Sequence, residues 1–393
     1  MSKREALNLR QTFETNDARR AEQQGHDDSG LRVHRDIAYI DDGDRCHRFD
    51  IFAPQECPKD TPVMINIHGG CLISAYKEVN ENFNAAFARL GWQVVSLSYP
   101  RIPDTTLWHQ IDDLMKALRF VKAHAEEYHL DLSHCVITGD SAGALLWLFL
   151  LSISQQPFLQ RVFGIEGCDI PVSAGAFVSI MLDTQRMDFI SVINDLILGD
   201  EDLRQPYTDY LLNPSKLVKV AELPPLFLVT SEEDVIREET RRLAKMLETD
   251  DMKYELHDIP KGKKRELLHA FCVMYPMYEE SRTVLRQMDQ FLRASFQESE
   301  QAEGVRKGRE KQPEKLRGVG PGVTLRGLLE IENCRRTGMV EKRPKDCNGK
   351  PHQTCRLGGT VTYYSEWTDP EGVTFSVYKC DRCGGTDRYY KAY

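Results

Sequence analysis

The sequence predicts an α/β protein, a mainly parallel central sheet flanked by helices, followed by a small and separate β-rich piece. Three observations carry this. From residue 31 to 298 short β-rich runs alternate with longer helical periods, the order that builds a parallel sheet. Several of those runs are apolar on both faces, as strands covered by helices on each side must be. The charge also changes sign along the chain. Residues 301–393 carry 18 Lys and Arg against 12 Asp and Glu, a net +6, so residues 1–300 carry −15 within a whole-chain −9.

At 393 residues the chain suits two or three domains with a sizeable core. Residues 1–30 are polar and charged, without the apolar stretch of a signal peptide. They suit a helix laid over a site as part of a cap, and they suit plain disorder equally. No run approaches the roughly 20 apolar residues of a membrane span, so no span is expected and the expected location is cytoplasmic. The eleven cysteines, odd in number and scattered, fit reduced thiols better than a disulfide framework, although five fall within the last 60 residues.

Taken in order, the expected strands are 36–41, 48–53, 63–67, 93–99, 135–139, 176–180, 226–230 and 253–259. Leu107, Ile111, Leu114, Leu118 and Val121 fall on one helical stripe covering the sheet. Val235, Leu243, Met246 and Leu247 make a second stripe, interrupted by Glu239. The segment 182–215 breaks the alternation and reads as an inserted helical cap. The expected domain of 31–298 then gives way to a charged, Gly/Pro-rich linker, 299–325, and a compact module, 326–393.

The stretch "VITGDSAGA" (136–144) sets Ser141 in a Gly-x-Ser-x-Gly frame between a strand and an apolar helix. A serine on so sharp a turn is crowded unless residues 139 and 143 lack a Cβ. A serine hydroxyl needs a base, and the base needs a carboxylate to hold its tautomer. Asp234 follows one late strand and His269 the next, giving the chain order Ser, Asp, His, at strand ends where α/β sheets gather their sites. Glu232, Glu233 and Glu238 compete with Asp234. Asp140 is expected to brace neighbouring loops and His68 to pack within its own turn.

These residues carry a resemblance. Residues 60–275 resemble the hormone-sensitive-lipase-like branch of the α/β-hydrolase fold, the acetyl-esterase and carboxylesterase group. The matching pieces are "HGGC" (68–71), "SYPRIPDTT" (98–106), "GDSAG" (139–143), "EDVIREE" (233–239) and "HAF" (269–271). The resemblance implies a serine carboxylesterase that hydrolyses short-chain, acetyl-like esters of small molecules through an acyl-enzyme, without a catalytic cofactor. Ser141 is then the nucleophile, His269 the base and acid, and Asp234 the orienting carboxylate. The backbone N–H groups of Gly70, Cys71 and Ala142 form the oxyanion hole. Cys71 replaces the family's last glycine, Pro100 interrupts its Tyr-Arg pairing, and Ala144 follows the elbow. A backbone amide can come from cysteine, whose side chain would narrow the substrate range. Cys71 as a nucleophile competes, with no second base placed for it. Amide or peptide cleavage on the same triad, and an interaction protein with a vestigial hydrolase domain, are the rival functions.

In the C-terminal module, His352-x-x-Cys355 and Cys380-x-x-Cys383 flank a β-hairpin turning at Asp-Pro-Glu-Gly. The block resembles a zinc ribbon, with one structural zinc and Cys347 or Cys334 as alternatives to His352. A β module with free thiols fits the same residues. Arg335, Arg336, Lys342, Arg343 and Lys345, with Tyr389 and Tyr390, would suit a nucleic-acid or acidic protein partner, and equally a solvated basic face.

Overall fold

A computed structural model describes residues 3–184, 194–199, 202–310, 361–368, 374–380 and 386–390, with backbone alone for 194–195, 297–310 and from 361 onwards. The chain divides into two compact units, Met1–Arg309 and Glu310–Tyr393.

In the first unit, helix α1 (Lys3–Gln24) is followed by strands β1 (Leu31–Ala38), β2 (Arg48–Pro54) and β3 (Pro62–Ile67). Helix α2 (Glu81–Arg89), β4 (Gln93–Leu97), α3 (Leu107–Ala123), β5 (Asp131–Asp140), α4 (Ala142–Gln155), α5 (Pro157–Phe163) and β6 (Val172–Val178) come next. After a segment of short helices come β7 (Leu226–Ser231), α6 (Arg237–Thr249), β8 (Tyr254–Ile259), α7 (Phe271–Met274) and α8 (Glu279–Glu310). Among the described residues, eight strands form one sheet in the order β1-β2-β4-β3-β5-β6-β7-β8. The β1–β2 and β2–β4 pairs are antiparallel and all others parallel.

All eight expected strands are present, and the first is displaced. The apolar run at 36–41 suggested its position, but β1 begins at Leu31 and its register with β2 breaks between His34 and Ile37. Asp36 there takes a φ of 57° and donates its N–H to Asp50 Oδ1 at 2.7 Å, a bulge that hides the alternation of the strand.

Alternation in the inner strands feeds two cores. Val63, Ile65 and Ile67 of β3 join Val95, Ile137 and Leu228 under α3, α4 and α6. Met64, Val94, Val136 and Phe227 turn the other way, against α2 and α8. Helix α4 is buried from Ala142 through Ile153 without a polar face, as a helix in the middle of a core should be. It therefore fixes whatever its N-terminus carries. No single described helix is long and apolar enough to cross a membrane; the bent pair α4 and α5 passes by composition, and α4 is interior to the protein.

The segment expected as a cap, 182–215, holds short helices at Asn194–Ile197 and Thr208–Leu212 within its described part, and a third, Ser215–Val218, begins at its last residue. Asp183 fastens it. Its carboxylate accepts from Ser215 N at 3.0 Å and Ser215 Oγ at 2.8 Å and pairs with Arg242, while its own N–H donates to Glu239 Oε2 at 3.1 Å. Glu239, which interrupts the apolar stripe of α6 in sequence, is thus a buried anchor paired with Arg242 at 2.9 Å. Val235 is no part of that stripe: it precedes the helix and is 69% exposed.

Helix α8 continues to Glu310, through part of the segment expected as a linker. Residues 297–310 are rich in Glu, Gln, Lys and Arg, all good helix formers, so a lack of residues to bury does not stop the helix.

In the second unit, β9 (Val361–Thr368), β10 (Thr374–Cys380) and β11 (Thr386–Tyr390) make an antiparallel sheet with β10 central. The two runs flanking Asp-Pro-Glu-Gly pair with each other, as a hairpin requires. Cys380 ends β10; His352, Cys355, Cys383, Cys347 and Cys334, and the basic positions 335–345, lie outside the described residues.

Candidate active site

Ser141 stands between β5 and α4 with φ 52° and ψ −115°, a backbone state that a side chain rarely adopts. Its N–H donates to Val178 O at 2.9 Å and its carbonyl accepts from Met181 N at 3.2 Å, so the neighbouring strand end holds the turn. Gly143 explains the frame most directly, because a Cβ there would fall onto the carbonyl oxygen of Ile67. The second glycine of Gly-x-Ser-x-Gly is therefore demanded by β3 packing under the turn. The N-terminus of α4 points its free N–H groups and positive dipole end at the same place.

Asp234 and His269 meet after β7 and β8. His269 Nδ1 lies 2.8 Å from Asp234 Oδ1, which also accepts from Ile236 N at 3.0 Å, and Thr230 Oγ1 donates to Oδ2 at 2.9 Å. Burial of Asp234 acts to raise its carboxyl, but His269 and the hydrogen-bond donors outweigh that and hold it below the ordinary value, hence ionised. The rivals point elsewhere. Glu232 accepts from Lys261 N at 2.9 Å, Glu233 accepts from Leu267 N at 2.8 Å and Gly262 N at 3.3 Å, and Glu238 pairs with Arg241 on the surface. Glu233 thereby braces the loop that delivers His269, with Ser179 Oγ accepting from Ala270 N at 3.0 Å on its other side.

The turn at residues 68–72 faces Ser141. Gly70 has φ 111°, and Cys71 and Leu72 follow at 57° and 65°, so three successive residues lie in left-handed territory. A Cβ on Gly70 would strike the Ser74 carbonyl, so only glycine fits there. Asp140 is buried and accepts from Gly69 N at 3.1 Å and Asn80 Nδ2 at 2.8 Å, tying this turn to the elbow. Burial raises its carboxyl. His68 stacks on Tyr99, ring centroids 4.5 Å apart, with Nδ1 2.7 Å from the Gly69 carbonyl. Burial pushes the ring down to about 4, so it is neutral at physiological pH. The Cys71 residue is half-buried, yet its desolvated thiol is pushed up to about 12.

Ser141, His269, Gly70 and Cys71 line one cavity of about 390 Å³, to which α1 contributes Phe13, Asp17 and Arg20. The N-terminal segment is thus a helix at the cavity wall. Arg10 pins it: Nε donates to Ile73 O at 2.6 Å, and the other nitrogens reach Ile102 O at 2.7 Å, Arg101 O at 3.2 Å and Asp104 Oδ2 at 2.6 Å. Arg10, Asn80 and Ser179 have no motif around them, and only the fold brings them to the site. Among the described residues no group of three or more His, Cys, Asp and Glu is placed to hold a metal.

A family model described as alpha/beta hydrolase fold matches residues 64–273. A probable carboxylic ester hydrolase of Mycobacterium tuberculosis, LipM, is 29% identical over 219 residues, 52% of this chain and 50% of that protein. An acetyl esterase of Salmonella dublin is 25% identical over 230 residues, 56% of this chain and 68% of that one. The chain therefore spans only half the length of the mycobacterial relative. In three dimensions it resembles crystalline esterase B from Lactobacillus rhamnosis, with a TM-score of 0.71 at 24% identity over 77% of this chain and 98% of the other, a likeness of fold.

Proposed function

From the premise that the chain belongs to the alpha/beta hydrolase fold family, we propose that it is a serine carboxylesterase cleaving short-chain esters of small molecules. The observation that carries the proposal is that His269, paired with a buried, ionised Asp234, lines the same cavity as Ser141 on its strained turn. The carboxylic ester hydrolase and acetyl esterase named among its relatives support the same reading.

Ser141 Oγ attacks the ester carbonyl while His269 Nε2 takes its proton; Asp234 holds the imidazole by Nδ1 and stabilises the imidazolium. The backbone N–H groups of Gly70, Cys71 and Ala142 receive the developing oxyanion, a stabilisation that costs no reorganisation because the turn is already set. His269 then protonates the departing alkoxide, leaving an acyl-serine. Water attacks this ester with His269 again as base, and Ser141 is regenerated.

Wild-type protein and Ser141→Ala are to be assayed on p-nitrophenyl esters of rising chain length and on aminoacyl anilides. Serine-dependent turnover, highest on the shortest esters, is expected. Faster cleavage of the anilides would make the protein an amidase, and no serine-dependent turnover on either series would leave an interaction protein.

The free thiols of Cys46, Cys135, Cys168 and Cys272 support a reducing, cytoplasmic setting. For the C-terminal module we propose a single structural zinc held by His352, Cys355, Cys380 and Cys383, Cys347 or Cys334 being the alternatives to His352, and a binding role toward a protein or nucleic-acid partner. Freshly purified protein should carry about one equivalent of zinc, and less than about half an equivalent would overturn the metal assignment.

A further inference from the structure

The cavity wall supplied by α1 differs from the others. Phe13, Ile236, Leu268 and Met274 line the cavity with apolar surface, whereas Asn16, Asp17 and Arg20 present donors and acceptors to the same space. Asp17 Oδ1 and Arg20 Nη2 are paired at 3.1 Å, with side chains 31% and 13% exposed. The remaining contacts of the guanidinium are the Met274 sulfur and, at 3.5 Å, the Val79 carbonyl. A second cavity, of about 500 Å³, shares Asp17, Arg20, Ala75 and Val79 with the first. Glu14, Glu78 and Arg101 stand on its walls, beside apolar surface from Ala18, Ala75 and Val79.

A half-buried ion pair is costly unless its remaining lone pairs and N–H groups are satisfied. A guanidinium offers five donors and a carboxylate about four acceptor sites, and here both face the space where substrate must lie. An anion would complete Arg20 but meet the Asp17 carboxylate; a cation would do the reverse. Hydroxyl groups donate and accept, so adjacent hydroxyls complete both partners at once, with the Asn16 amide able to do either. The second cavity, which Asp17 and Arg20 line and Ser141 does not, gives such a group room next to the pair.

We propose that Asp17 and Arg20, with Asn16, are specificity residues that recognise the leaving alcohol of the ester, and that this alcohol is a neutral polyol such as a sugar. The inference rests on the esterase reading. The two are separated by first measuring phenyl acetate turnover and its loss in Ser141→Ala; no such turnover overturns both. With that turnover in hand, acid release is compared for 6-O-acetylglucose, hexyl acetate and hexyl lactate, whose hydroxyl sits on the acyl side.

Wild-type kcat/KM is expected to favour 6-O-acetylglucose over hexyl acetate by roughly ten-fold or more. Arg20→Met and Asp17→Asn should each bring the ratio close to one, mainly by raising KM for the sugar ester, and Arg20→Lys should recover part of it. Should Arg20→Met fail to fold, the isosteric Asp17→Asn decides alone. A ratio unchanged by these substitutions, no sugar preference in the wild type, or a preference that follows hexyl lactate instead overturns the proposal.

Discussion

Arg10 Nε donates to the backbone carbonyl of Ile73 across 2.6 Å, joining the N-terminal helix to the turn that carries Gly70 and Cys71. The guanidinium also satisfies the carbonyls of Ile102 and Arg101, so a neutral, shorter side chain strands several buried acceptors at once. Arg10→Ala should cost about 2–3 kcal/mol of stability, as losses of hydrogen bonds to charged groups do. Limited proteolysis within residues 3–24 should accelerate, and KM for the ester should rise more than kcat falls. A variant as protease-resistant as the parent would show that α1 is held by other means.

Asp234 sits between Thr230, Ile236 and His269, three donors on two oxygens. Asp234→Asn keeps the shape and removes the charge that selects the Nδ1–H tautomer. Under the proposed mechanism kcat should drop by about 10³-fold or more, with KM and melting temperature little changed. A loss under ten-fold would place the orienting carboxylate elsewhere.

The Cys71 thiol, pushed up to about 12, carries almost no thiolate at pH 7.5. Iodoacetamide should therefore leave activity intact while a fluorophosphonate abolishes it by modifying Ser141. Cys71→Gly relieves a left-handed side chain but frees the unfolded backbone, two effects that cancel to within about 1 kcal/mol. That variant should stay active and accept bulkier esters. Complete inactivation of a folded Cys71→Gly would give the thiol a chemical part.

His68 makes stability pH-dependent in a definite direction. The unfolded chain takes a proton on this ring near 6.5, the folded protein only near 4. Between those values the unfolded state binds the extra proton, so stability falls as pH falls through the window and levels off below it. From pH 7 to pH 5 the contribution is on the order of 2 kcal/mol. Urea unfolding of His68→Phe, which keeps a ring against Tyr99, should show a correspondingly shallower slope over that interval; an identical slope would sink the assignment.

What could be read in advance, and what could not, follows from range. The inner strands were legible because strands covered on both faces are apolar runs, and the positions of Ser141, Asp234 and His269 because each follows a strand in a fixed order. The start of β1 was not, since the bulge at Asp36 breaks the period that would betray it. Glu239 looked like a flaw in a stripe because its partners, Asp183 and Arg242, are respectively 56 and 3 residues away and only one of them is local. Arg10 was invisible for the same reason: its acceptors are three backbone carbonyls 63 to 92 residues distant and the Asp104 carboxylate 94 residues away, and carbonyls leave no mark in a sequence.

The clamp of Asp183, Arg242 and Glu239 has a consequence for engineering. Helix α6 starts three residues after Asp234, so one element both holds the segment that begins at Asp183 and follows directly from the Asp234 loop. That segment transplanted from a relative without the matching face of α6 would lose the Asp183 contacts to Glu239 and Arg242 and would disturb the start of α6 next to Asp234. Chimeras of this protein should exchange residues 182–249 as one cassette, and those cut between residue 215 and α6 should lose turnover before they lose fold.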